Sequence, residues 1–93
     1  MIIKNTFTMT VDDDPLGEPD EYCFNLKNCM YMARNTPMCI RFIFGTHNLV
    51  LKFRSLDSVK KYFALFQDFF EGKIDCVEIN DLELESREIE VKE

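Results

Sequence analysis

A chain of 93 residues with a net charge of −6 at pH 7 makes one domain, residues 1–93, with a single thin core. Hydrophobic residues at 46%, nine Phe among them, exclude a disordered chain, and no apolar run approaches the roughly 18–20 residues of a membrane span. The start MIIKNTFTMTVDDD lacks a basic segment followed by a long apolar stretch, so no membrane contact and a cytoplasmic location are expected. Charge falls in three blocks: residues 1–21 hold six acids and one base, 22–73 eight bases and three acids, and 74–93 eight acids and two bases. Acidic ends around a basic, aromatic middle suit a protein that meets charged partners.

From Ile3 to Val11 apolar Ile3, Phe7, Met9 and Val11 alternate with Lys4, Thr6, Thr8 and Thr10, which predicts a half-buried strand with a hydroxyl-lined outer face. The run Asp12 to Pro19, with two prolines, a glycine and clustered carboxylates, is a loop. Pro19, Asp20 and Glu21 suit a helix start, and Tyr22, Leu26, Cys29, Met30 and Ala33 recur at helical spacing before Asn35 and Pro37, although Tyr22, Phe24 and Leu26 also alternate as in a strand. Met38–Phe44 and Leu49–Arg54 flank Gly45-Thr46-His47-Asn48 and predict a hairpin with Ile40 facing Phe53, Phe42 facing Leu51, and Arg41 opposite Lys52. Like charges across a ladder are unfavourable, so something acidic, from the last strand or from a partner, is expected beside them.

Ser55 caps a second helix from Leu56 to Glu71 that ends at Gly72. Its apolar residues span about half the circumference, wider than the roughly 100° stripe of a surface helix, so a second helix or another subunit is expected to cover Tyr62, Leu65 and Phe69. Ile74, Val77 and Ile79 then read as a strand, with Asn80-Asp81 as a hairpin turn or a bulge, and the last ten residues as a strand or a charged helix. The expected fold is α+β, in the order β-α-β-β-α-β: a single antiparallel sheet with two helices on one face, ferredoxin-like or related, with an optional extra C-terminal strand.

No catalytic constellation emerges, so an enzyme is not expected. The one histidine, His47, lies at a hairpin tip, away from cysteines and serines that read as packed or capping. Cys23, Cys29, Cys39 and Cys76 lack the paired spacing of a zinc site and read as reduced, mostly packed thiols. The acids between Asp12 and Glu21 lack the alternate-position spacing and central glycine of an EF-hand, and no phosphate-binding glycine motif is present; no metal and no cofactor are expected. Arg41, Lys52 and Arg54, with Lys4 and the threonines, could touch phosphates, but stacking aromatics are missing from that face and the pI is about 4.7, so direct nucleic-acid binding is not expected.

The C-terminal acids remain. Glu78, Asp81, Glu83, Glu85, Glu88, Glu90 and Glu93 set a carboxylate at nearly every second residue, about 6.6 Å apart on one face of a strand. With the hairpin Ile40–Phe53, the aromatic helix Leu56–Glu71 and the end DLELESREIE, the chain resembles the small acidic phage-encoded inhibitors, the anti-CRISPR and anti-restriction proteins that include DNA mimics. That resemblance implies an inhibitor whose acidic edges dock on the basic channel of a nuclease or effector complex. The candidate contact residues are Asp13, Asp14, Glu18, Asp20, Glu83, Glu85, Glu88 and Glu90. The alternative is an oligomeric interaction or immunity-type module, such as a homodimer, working through Tyr62, Leu65 and Phe69.

Overall fold

In the computed structural model, which describes residues 1–11, 20–34 and 36–91, alternation wins over helical spacing in the first third of the chain. β1 (Ile2–Ile3) and β2 (Thr6–Val11) replace one continuous strand, and β3 (Asp20–Asn25) pairs antiparallel with β2 where the first helix was expected. The pairing is favourable because Phe24 meets Phe7, their ring centroids 5.4 Å apart, and also lies 5.1 Å from Phe44, which seats this ribbon on the rest of the core. Thr6, Thr8 and Thr10 are exposed on its other face, as their alternation predicts. The Asn25 side chain accepts the Lys27 N–H and closes a single 3-10 turn at Leu26–Asn28; β4 (Tyr31–Ala33) follows.

The hairpin forms from β5 (Cys39–Ile43) and β6 (His47–Phe53), two residues out of the expected register. Ile40 pairs with Leu51, Phe42 with Leu49, Arg41 with Val50, and Cys39 with Lys52. A shift of two preserves which face each side chain occupies. It also takes Lys52 from the position directly opposite Arg41, while Gly45, at φ +105°, stays in the turn, where a residue without Cβ is favoured.

Ser55 caps α1 (Leu56–Phe70) by accepting the Ser58 N–H at 3.1 Å. At the other end Gly72, at φ +80°, donates to the Phe69 carbonyl and Lys73 donates to that of Asp68, the paired bonds of a Schellman stop. Phe66 packs edge-on to Phe42 at 4.8 Å, and Tyr62 stacks on Phe53 at 5.1 Å. The wide apolar arc is covered by β1 and β7 (Val77–Glu78), which pair with each other and contribute Ile3 and Val77 to the core beside Ile79. β8 (Leu84–Val91) then adds to β6, giving a four-stranded sheet in the order β4-β5-β6-β8.

Among the described residues the fold is therefore mostly β, eight strands in three sheets with a single α-helix, and the expectation of one sheet carrying two helices is corrected. Asn80 and Asp81 make neither a hairpin nor a bulge. The Asn80 side chain accepts the Leu82 N–H at 3.0 Å, and its carbonyl accepts from Glu83 at 2.9 Å, so the turn sends the chain from β7 across to β6. Among the described residues, no helix is long and apolar enough to cross a membrane.

Candidate protein-docking edge

β8 is a sheet edge eight residues long, and its hydrogen-bonding sense follows from two contacts of β6. Phe53 donates its N–H to the Met38 carbonyl on the β5 side at 2.8 Å, whereas Arg54 donates to the Glu83 carbonyl on the β8 side at 2.9 Å. Odd-numbered residues of β6 therefore turn their amides to β5 and even-numbered ones to β8. The ladder bonds of β8 fall on Ser86, Glu88 and Glu90, the partners of Lys52, Val50 and Asn48. Arg87, Ile89 and Val91 direct their N–H and C=O groups outward, where no described strand pairs with them.

One irregularity interrupts the ladder. Phe53 pairs with Leu84 while Lys52 pairs with Ser86, so Glu85 is the extra residue of a bulge. The bulge reconciles two apolar phases: Leu84 and Ile89, an odd number of positions apart, both pack against the core.

Four of the expected contact residues, Glu83, Glu85, Glu88 and Glu90, are brought together on this strand and the turn before it, and three have a cation of the same chain. Lys61 Nζ lies 2.8 Å from Glu83, Lys52 Nζ 3.8 Å from Glu85, and Arg41 Nε 3.3 Å from Glu90. The acidic neighbour expected beside Arg41 and Lys52 is thus the protein's own last strand. The Lys61 ammonium, with the Tyr62 hydroxyl second, holds the Glu83 carboxyl below its ordinary range, and Glu83 in turn raises Lys61. Glu88 is exposed and has no ion pair among the described residues. Asp20 opens β3, its backbone paired with Val11, whereas Asp13, Asp14 and Glu18 lie outside the described residues, as does most of the candidate calcium loop.

The residues expected at an oligomer surface are engaged within the chain. Tyr62 and Phe69 are each 2% exposed, and Leu65 is half-buried against the core. Besides stacking on Phe53, Tyr62 accepts the Asn80 N–H on its hydroxyl at 3.0 Å and receives Lys61 Nζ 4.6 Å from its ring centre.

An open depression of about 390 Å³ lies on the outer sheet face, between the Thr36–Met38 turn and the side chains of Arg41, Lys52 and Glu88. Arg41 also donates to Thr36 Oγ1 at 2.6 Å, so this cation is held from two sides. No group of three or more metal-ligating side chains occurs among the described residues. The thiols divide: Cys39 is buried and Cys29 half-buried, but Cys23 and Cys76 are exposed, which corrects the expectation of mostly packed cysteines. Burial raises the Cys29 thiol, which donates to the Tyr31 carbonyl at 3.0 Å.

The outward amides of Arg87, Ile89 and Val91 are the feature that composition and spacing could not reveal, because they depend on which strand β8 joins and in which register. Comparison of the chain with family models, with curated proteins and with solved structures returned no match.

Proposed function

We propose that this protein is a small acidic binding protein that occupies a basic surface of another protein. The partner class is a nucleic-acid-handling enzyme of the kind that phage-encoded inhibitors block. The observation that supports this reading is the placement of Glu85, Glu88 and Glu90 along an edge strand tied to β6 by a ladder that is broken once, at the Glu85 bulge. Carboxylates fixed on a strand lose little further freedom on docking, and an acidic rim speeds encounter with a basic groove.

The reading is docking rather than imitation of a bare phosphate row. Glu83, Glu85 and Glu90 are already compensated by Lys61, Lys52 and Arg41. Surface pairs of this kind contribute little to stability and exchange readily for a foreign cation. Glu83 is better regarded as a support, because its pair with Lys61 holds the turn before β8 against α1.

Affinity capture from a bacterial lysate, run at about 0.05 M and again at about 0.5 M salt, tests the proposal through Debye screening. Salt-labile capture of a nuclease or other nucleic-acid enzyme, lost with Glu85→Lys and Glu88→Lys together, is the expected result. Capture that resists salt and ignores both substitutions overturns it.

A further inference from the structure

The outer edge of β8 is a row of amides whose flanking side chains are sorted by face, and we infer that it accepts an extended segment of the partner as an added strand, basic residues on one face and apolar residues on the other. This inference rests on the acidic edge being the docking surface and specifies how that surface is used. Arg87, Ile89 and Val91 supply the outward N–H and C=O groups. Glu88 and Glu90 then sit at non-hydrogen-bonded positions of any antiparallel addition. There, facing Cα atoms approach to about 4.5 Å and side chains are closest.

The two faces of the strand specify the occupant. On the outer face Glu88 and Glu90, two residues apart, call for Lys or Arg at alternate positions of the incoming strand. On the inner face Ile89 packs against the core, Val91 is 60% exposed and Arg87 is an exposed cation beside Ile89, so the incoming residues that face Ile89 and Val91 are apolar ones that extend this surface. The bulge at Glu85 limits the usable edge to the part beyond it.

A second copy of the chain fits poorly. If Ile89 pairs with Ile89 of another molecule, Glu88 faces Glu90 twice; if Arg87 pairs with Ile89, Glu88 faces Glu88. Both registers set like charges directly opposite, which disfavours self-addition and leaves the edge for a cationic strand.

The test uses a labelled peptide of alternating Lys and Val matched to the part of β8 beyond the bulge, residues 86–91, and the same peptide N-methylated at every second residue. N-methylation keeps the charge and removes the donors that a strand must offer. Fluorescence anisotropy is expected to show saturable binding of the plain peptide, weakened about tenfold or more by N-methylation, by Arg87→Pro and by Glu88→Lys. Equal binding of both peptides, lost only with Glu88→Lys, overturns strand addition while leaving acidic docking intact. Failure of the plain peptide to bind also overturns strand addition, and the lysate capture then decides the broader reading by itself.

Discussion

Placing proline at two adjacent positions of β8 should give opposite results, because the ladder sense makes Glu88 an inward donor and Arg87 an outward one. Glu88→Pro removes the N–H that serves the Val50 carbonyl. The lost bond is worth about 1 kcal/mol net, and a stranded carbonyl at a residue 4% exposed adds about 1–3 more. The expected loss is about 2–4 kcal/mol, which at a slope of about 1–3 kcal/mol per molar urea moves the unfolding midpoint by roughly 0.7–4 M. Arg87→Pro removes a donor that faces solvent and gives up only the 3.5 Å approach of Arg87 to the Met1 sulfur, so it should cost about 1 kcal/mol or less. Urea melts followed by circular dichroism, with each variant matched to the parent chain, measure the difference. Equal losses, or a larger loss at Arg87, refute the assignment of inward and outward amides on which the docking edge rests.

Tyr62→Phe keeps the stack on Phe53 but leaves the Asn80 N–H without its acceptor, so a loss of about 1 kcal/mol, or about 4–8 °C in Tm, is expected by calorimetry. Because the folded carboxyl of Glu83 titrates below its unfolded value, its contribution is present above that unfolded value and drains away as pH falls through the folded one. Acid titration of Glu83→Gln should therefore be flatter than that of the parent in the carboxylate range, below about pH 4. Lys61, raised by the same contact, contributes below its unfolded value and loses that contribution as pH rises through the folded one; Lys61→Met should flatten the alkaline limb above about pH 10. Iodoacetamide labelling of the native protein, read by mass spectrometry, should modify Cys23 and Cys76 first and leave Cys29 and Cys39 until unfolding.

Much of the second half of the chain was legible because local and global signals agree there. Ser55, the apolar arc and Gly72 bound α1 within one residue of the expected limits, since a cap, a periodicity and a left-handed stop all act within a few positions. The hairpin faces were legible for the same reason. Its register was not, because only the repulsion between Arg41 and Lys52 distinguishes two pairings that bury the same side chains. The stretch from Tyr22 to Ala33 carries both a helical and an alternating pattern, and the choice is made at long range by Phe7 and Phe44. In the candidate edge, the change of apolar phase between Leu84 and Ile89 marked an irregularity, but its place at Glu85 follows from pairing with β6, which no local pattern encodes.

The in-chain cations beside β8 alter what a salt titration of any complex would count. When a foreign lysine claims Glu85 or Glu90, it displaces Lys52 or Arg41, so one ion contact is swapped for another and few counterions change hands. Only Glu88 gains a contact with none given up. Affinity should consequently fall with ionic strength more gently than the tally of carboxylates on the strand suggests, and the steepness of that fall becomes a gauge of how many internal bridges the partner has prised open.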